Sequence, residues 1–252
     1  EVGILPGIKV DTGAKPLALH DGEKVTEGLD GLRDRLAEYR NLGARFAKWR
    51  AVITIGDGLP SAACIEANAH ALARYAALCQ EAGIVPVVEP EVLMDGDHAL
   101  DECFAVTADT LHALFGQLYT QDVVLEGAVL KASMVVSGAD ANDRADVDDV
   151  AAATVQCLLD TVPASLGGIV FLSGGQSEVE ATAHLDAMNR FGETPWPLSF
   201  SYGRALQAPA LAAWSENPTD NIAVAQRRLL HRARMNGLAA LGEWAQTMES
   251  ND

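Results

Sequence analysis

Six short runs rich in β-branched residues alternate along the chain with longer Ala- and Leu-rich segments, and polar or charged residues gather at the C-terminal ends of the runs. Strand–helix alternation with continuously apolar strands predicts a parallel α/β architecture. Charge at the strands' C-terminal ends predicts, within that class, a TIM (β/α)₈ barrel, because such a barrel builds its active site there. A complete barrel typically takes about 250 residues, and the chain has 252. Length alone would therefore suggest eight units, but the runs number six. The expectation is one barrel domain over residues 1–252 with about six of its eight βα units, beginning inside its fold and closing on a terminal helix and short tail over 222–252.

The first strand is expected over Gly3 to Val10, with Pro6-Gly7 inside it, and a helical pattern follows over Leu29 to Leu42. Phe46 to Ile55 is the second strand. The helix after it, Ser61 to Gln80, opens on Pro60-Ser61, where the serine is a natural N-cap. Val85 to Leu93 is the third strand, with Asp95-Gly96-Asp97-His98 a loop behind it and a helix over Thr107 to Leu118, Thr107 its expected cap. The fourth strand is read as the long apolar run Val123 to Val136, followed by a helix over Ala145 to Asp160. Gly168 to Gly174, a helix over Ser177 to Asn189, a last strand over Leu198 to Arg204 and a helix over Ile222 to Gln246 complete the series, with Gly237 and Gly242 as weak points of the last helix.

Composition excludes several functions. With 49% hydrophobic residues and 21% charged, the chain carries enough apolar side chains for a substantial core. A net charge of −17 argues against a nucleic-acid partner, which needs a basic surface. No apolar run approaches the ~18 residues that span a bilayer, and no signal peptide opens the sequence, so no membrane partner is expected. Cys64, Cys79, Cys103 and Cys157 are widely spaced without a CxxC pair, which reads as reduced, buried thiols in a cytoplasmic protein. No metal or other cofactor is expected: the six histidines form no HxH or HExxH spacing, and most fall on predicted helices in solvated or capping positions. The strands also lack the GxGxxG and GxxxxGK[ST] turns of nucleotide-binding sheets. Phe46, Trp49, Trp196 and Trp214 read as packing residues.

The chemistry concentrates on lysine. Of 18 cationic residues only Lys9, Lys15, Lys24, Lys48 and Lys131 are lysine, and Lys131 is the only lysine after Trp49. It sits inside an apolar run, where a desolvated amine can lose its proton and attack a carbonyl to form a Schiff base. The strand period of two puts Lys9 with Asp11, Lys48 with Arg50, and Glu89 with Glu91 on common faces of three strands, and Glu126 and Lys131 fall on a fourth. An isolated pair of strand cations is ordinarily an edge device or an ion pair, and Glu-Pro-Glu alone can simply end a strand. Four apolar strands burying charge independently would each carry a large desolvation penalty, whereas charges gathered at one point compensate one another. Gathered charge of that kind is a catalytic site, with the two glutamates a candidate acid/base pair. Phe171-Leu172-Ser173-Gly174-Gly175-Gln176-Ser177-Glu178 and Ser199-Phe200-Ser201-Tyr202-Gly203-Arg204 are glycine-bearing turns at the ends of the last two strands, the usual phosphate position of such barrels. Their backbone N–H groups and the Arg204 fork suit phosphate oxygens.

With those residues in view, the chain resembles class I fructose-1,6-bisphosphate aldolases over nearly its whole length. The ordered motifs are GIKVDTG, GLDGL, FAKWR, AGIVPVVEPEVLMDGDH, LEGAVLKASMV, FLSGGQSE and SFSYGRALQ. The resemblance implies reversible cleavage of fructose 1,6-bisphosphate to dihydroxyacetone phosphate and glyceraldehyde 3-phosphate, in sugar breakdown and its reversal, and a homotetramer. It implies Lys131 as the Schiff-base lysine, Glu89 as the acid/base of carbinolamine dehydration with Glu91 its partner, and Lys48 as the cation that lowers the nucleophile's proton affinity and orients the substrate. Lys9 and Arg50 match the distal phosphate, and Ser173, Gly174, Gly203 and Arg204 the proximal one. Three departures stand out. The family's first strand carries an aspartate base and phosphate-binding serines that have no counterpart in this sequence. The usual Lys-Pro-Asn-Met is Lys131-Ala132-Ser133-Met134, and the end of the chain carries no terminal tyrosine. The alternatives are an aldolase-like fragment, non-catalytic or impaired, that serves assembly or a partner, and a class I aldolase for another ketose phosphate.

Overall fold

The computed structural model describes residues 3–250. Residues 1 and 2 of the expected domain, and Asn251 and Asp252 of its tail, lie outside them. Six strands form one sheet in which every neighbour is parallel: β1 (Gly7–Lys9), β4 (Phe46–Ile53), β5 (Val85–Val92), β6 (Val129–Ala132), β7 (Gly168–Phe171) and β8 (Leu198–Phe200), in that order. The hairpin β2 (Gly13–Pro16) and β3 (Lys24–Glu27) stands apart as an antiparallel pair. The helices are α1 (Leu32–Asn41), α2 (Ala62–Glu81), α3 (Leu100–Thr120), α4 (Val147–Thr161), α5 (Glu178–Arg190), α6 (Arg204–Glu216) and α7 (Ile222–Ala239). Parallel crossovers are right-handed, so strands in strict sequential order put every crossover helix on the same face. That is the wall of a (β/α) barrel, with six of the expected units in place.

The side-chain period of two divides each strand between two environments. On β4, Ala47, Trp49, Ala51 and Ile53 are buried toward the helices, while Lys48 and Arg50 face the other way. On β5, Val88 is buried among the helices, and Glu89 and Glu91 share the inner face with Val87. Tyr75 of α2 pins the two strands from the helical side: its hydroxyl donates to Ala47 O at 2.6 Å and accepts from Val87 N–H at 3.1 Å. The apolar core therefore lies between sheet and helices, and the inner face is left for polar groups.

Several expectations are corrected. Only Gly7–Lys9 of the first run is strand, and the chain then turns back in the β2–β3 hairpin, which no apolar run marks in the sequence. Gly31, at φ 63°, starts α1 three residues later than expected. The run Val123 to Val136 is not one strand. Gly127 N–H donates to Val124 O at 3.1 Å and Ala128 N–H to Leu125 O at 3.0 Å, which makes Leu125–Gly127 a 3₁₀ turn and leaves Val129–Ala132 as β6. Thr107 is no cap, because α3 begins at Leu100 and Thr107 is buried within it. Arg204 is not strand but the first residue of α6, a helix hidden in the sequence by Pro209 within it. Beyond α7, Gly242 turns the chain at φ 69°, and among the described residues a short 3₁₀ turn, Gln246–Ser250, follows. Phe46 and Trp214 stay substantially exposed, while Trp49 and Trp196 are core residues. His98 and His184 are buried rather than solvated.

Candidate active site

Strand register explains the cation–carboxylate lattice. Lys48 is level with Val87 and Arg50 with Glu89, and each cation pairs with the carboxylate two residues beyond its register partner. Lys48 Nζ lies 2.7 Å from Glu89 Oε2, and Arg50 Nε hydrogen-bonds Glu91 Oε2. That hydrogen bond, opposed by burial, raises the Arg50 guanidinium above its ordinary range. On the next strand Leu130 is level with Val88, so Lys131 comes opposite Glu89, its Nζ 3.0 Å from Glu89 Oε1. One carboxylate, 4% exposed, thus bridges two ammonium groups whose side chains are 22% and 12% exposed. Glu89 Oε2 is fully buried, and its contact with Lys48 is not aligned as a hydrogen bond, so a lone pair is left for a proton in transit.

Lys9 is level with Lys48, and a second buried carboxylate pairs with Lys9. Asp11 accepts from Lys9 Nζ at 2.5 Å, from Gly13 N–H at 3.1 Å and from Arg50 N–H at 3.2 Å. The loop from Gly28 packs against it so closely that a Cβ on Gly28, at φ 130°, would meet Thr12 N at 2.9 Å.

The glycine turns adjoin this lattice. Val170 of β7 is level with Lys131, and Ser173 stands three residues beyond it. Gly174 and Gly175 take φ 54° and 105°, and Gln176 N–H donates back to Ser173 O at 2.8 Å, leading into α5 through a capping box of Ser177 and Glu180. A Cβ on Gly175 would lie 3.9 Å from an Arg204 guanidinium nitrogen, so the first residue of α6 reaches over the Ser-Gly-Gly turn. Gly203 caps α6, and its carbonyl accepts from Leu206 and Gln207 N–H. On the inner faces of these strands and the adjoining turn, Lys9, Lys48, Arg50, Lys131 and Arg204 outnumber Asp11, Glu89 and Glu91, so a chain of net charge −17 gathers an excess of cations there. An anion is what such a patch attracts.

Of the residues expected to act together, Glu126 alone among the strand charges falls elsewhere. It is exposed on the 3₁₀ turn that enters β6, at the opposite end of the sheet. Its apolar neighbours suggested a continuous strand, but Gln80 holds both backbone groups of Val124 where the turn begins. Asp11 meets Lys9 as the strand period predicts, whereas no sequence signal marks Gln176 as a brace. Gln176 Oε1 lies 2.6 Å from His184 Nδ1, and Gln176 Nε2 donates to Met134 Sδ at 3.5 Å, tying the glycine turn to the segment after Lys131. Among the described residues no group of three or more His, Cys, Asp or Glu is placed to hold a metal ion. The four cysteines are free and buried, and burial pushes the Cys79 and Cys157 thiols up to about 12.

Burial holds His184 below its usual 6.5; nearby Arg144 acts in the same direction and Glu180 against it. The folded state therefore favours the neutral ring, and the unfolded chain binds the extra proton first. Stability is full above the unfolded value and falls as pH drops toward the folded one, by at most about 1.4 kcal/mol per unit. Thermal unfolding should therefore show Tm falling as pH drops below the ordinary histidine value, and His184→Gln should flatten that fall. An unchanged slope would remove His184 as its source.

The family model for class I fructose-bisphosphate aldolase matches residues 1–252. A probable class 1 fructose-bisphosphate aldolase from Xanthomonas campestris is 65% identical over 242 residues, covering 96% of this chain and 72% of that protein. A cytosolic fructose-bisphosphate aldolase from Arabidopsis thaliana is 51% identical, over 96% of this chain and 62% of its own length. Among solved structures, the fructose-bisphosphate aldolase of Plasmodium falciparum, crystallised with TRAP and a small-molecule inhibitor, superposes with a TM-score of 0.94 at 48% identity, covering 96% of this chain and 70% of that one.

Proposed function

The chain belongs to the class I fructose-bisphosphate aldolase family, and on that premise we propose that Lys131 is the amine that forms the Schiff base with the ketone carbon of a phosphorylated sugar. The observation that carries the assignment is Glu89, whose two oxygens touch Lys131 Nζ and Lys48 Nζ at 3.0 and 2.7 Å. Glu89 takes a proton from Lys131, leaving a neutral amine to attack the carbonyl. It then returns that proton to the carbinolamine hydroxyl, which departs as water. Lys48 balances the carboxylate throughout and orients the substrate oxygen. The iminium withdraws electrons from the neighbouring carbon–carbon bond, so transfer of the adjacent hydroxyl proton to Glu89, a carboxylate again after dehydration, releases the aldehyde half and leaves an enamine on Lys131. Protonation and hydrolysis of the enamine free the ketone half and the lysine. Glu91, paired with Arg50, keeps that guanidinium fixed.

The substrate's two phosphates give the outer groups their roles. Ser173, Gly174, Gly203 and Arg204 receive the phosphate nearer the ketone, and Lys9 and Arg50 the distal one. The net positive inner face of an acidic protein supports that division. We read the protein as cytoplasmic and a homotetramer. The Arabidopsis relative is named cytosolic, and Leu211, Trp214, Ile222 and Leu230, left exposed on α6 and α7, support self-association. Borohydride reduction in the presence of dihydroxyacetone phosphate, followed by peptide mass analysis, tests the assignment: a stable adduct is expected on Lys131. An adduct on another lysine, or none, would refute it.

A further inference from the structure

The ladder between β5 and β6 is short. Its backbone pairs stop at Val88–Leu130, one residue before Glu89 and Lys131 come opposite each other. Both reacting groups therefore stand at the point where backbone pairing ends, yet their spacing has to be held. One side chain spans the opening. Ser133, two residues past Lys131 and 6% exposed, accepts from Val92 N–H at 2.9 Å and donates to Val92 O at 3.1 Å. A single hydroxyl thereby does for Val92 what a paired strand residue would do, immediately after Glu91. The segment beyond is fastened on its other sides: Ala132 O accepts from Leu172 N–H at 3.0 Å, and Val135 N–H donates to Thr154 Oγ1 at 2.9 Å. Leu93 N–H donates to Ile53 O at 2.9 Å, which completes the tie to β4. Farther out, Ala139 N–H donates to Met94 O at 2.7 Å and Asp140 N–H to Gly96 O at 2.9 Å, so among these fastenings Ser133 is the tie between the two segments that lies nearest to Glu89 and Lys131.

We propose that Ser133 is a positioning residue that fixes the distance between Glu89 and Lys131, and so sets the rate of the proton transfers between carbinolamine and iminium. The proposal rests on Lys131 as the Schiff-base amine. Removing the hydroxyl frees β5 to drift from β6 at Val92, and displacement of reacting groups by ~1 Å slows a step by up to about a hundredfold. The substrate's phosphates are held by other elements, so its binding should change little.

Ser133→Ala, Ser133→Thr and Ser133→Val test this on the full chain, assayed well below each variant's Tm. Threonine keeps the hydroxyl and valine has the same shape without it, so this pair decides even if the alanine variant does not fold. Alanine and valine should lower kcat by about ten- to a hundredfold with KM within about twofold of wild type. They should also slow the appearance of borohydride-trapped adduct with dihydroxyacetone phosphate by the same factor, and threonine should recover most of both rates. Wild-type kcat and trapping rate in the valine variant, even with a lowered Tm, would give Ser133 a purely structural role and overturn the proposal. Absence of any adduct on Lys131 in the wild type would instead overturn the assignment of the nucleophile, and this inference with it.

Discussion

Lys131→Arg is expected to abolish turnover, by about 10⁴-fold or more, in a protein that still folds. The guanidinium is long enough to keep the contact with Glu89 Oε1 that Lys131 Nζ makes at 3.0 Å, so the charge pattern of the site survives. What disappears is chemistry. A guanidinium stays protonated at any working pH and cannot add to a ketone. Lys131→Met removes the amine and the charge together, and Glu89 then keeps Lys48 alone as its partner. Comparing the two variants separates loss of the nucleophile from loss of electrostatic balance: both should be inactive and untrappable by borohydride, and methionine alone should shift Tm. Steady-state cleavage with circular dichroism melts on the same samples provides the check. Residual turnover above about 1% of wild type in Lys131→Arg would mean that another amine forms the intermediate.

Lys131 stands out in the sequence because two independent signals coincide at it: its rarity in the composition and its place in an apolar run. Glu89 and Glu91 were legible for a related reason, since a strand alternates and two acidic residues separated by proline must share a face. The lattice itself could not be read. Which cation meets which carboxylate depends on inter-strand register, and register is a tertiary quantity: Lys48 level with Val87, not with Glu89, is what sends its amine to the next carboxylate along. Glu126 failed for the opposite reason. Composition made the whole run from Val123 look extended, whereas a local 3₁₀ turn, supported by Gln80 hydrogen-bonding both backbone groups of Val124, delays the start of the strand to Val129. The α6 helix was hidden by Pro209, which lies inside it beyond the first turn, where a proline removes an i→i−4 hydrogen bond and so reads in a sequence as a helix breaker. Ser133 could not be assigned at all from sequence, because a serine beside a strand end has many partners available and only the geometry selects Val92.

Glu89 bridges two cations, so Glu89→Gln changes two things that a double variant can separate. Glutamine has the same shape but accepts no proton at neutral pH, so the acid/base contribution, typically 10²–10⁴-fold, should be lost from turnover. The lysine remains a nucleophile, and borohydride should still trap an adduct, only more slowly. Glutamine also leaves Lys48 and Lys131, both largely buried, facing each other without the carboxylate that compensates them. Breaking a buried pair by removing one partner costs about 3 kcal/mol, which in a domain of this size lowers Tm by roughly 6–12 °C. Adding Lys48→Met to Glu89→Gln removes the surplus charge. The double variant should therefore regain much of the lost Tm while its turnover stays at or below that of Glu89→Gln. If stability and turnover recovered together, Glu89 would act only by neutralising its neighbours, and the proton transfers would belong to another group. If neither moved, the bridge between the two lysines would not be an energetic unit. Separation of the two observables is the expected result, because proton transfer needs an oxygen with a movable proton, whereas charge balance needs only a matching count of charges.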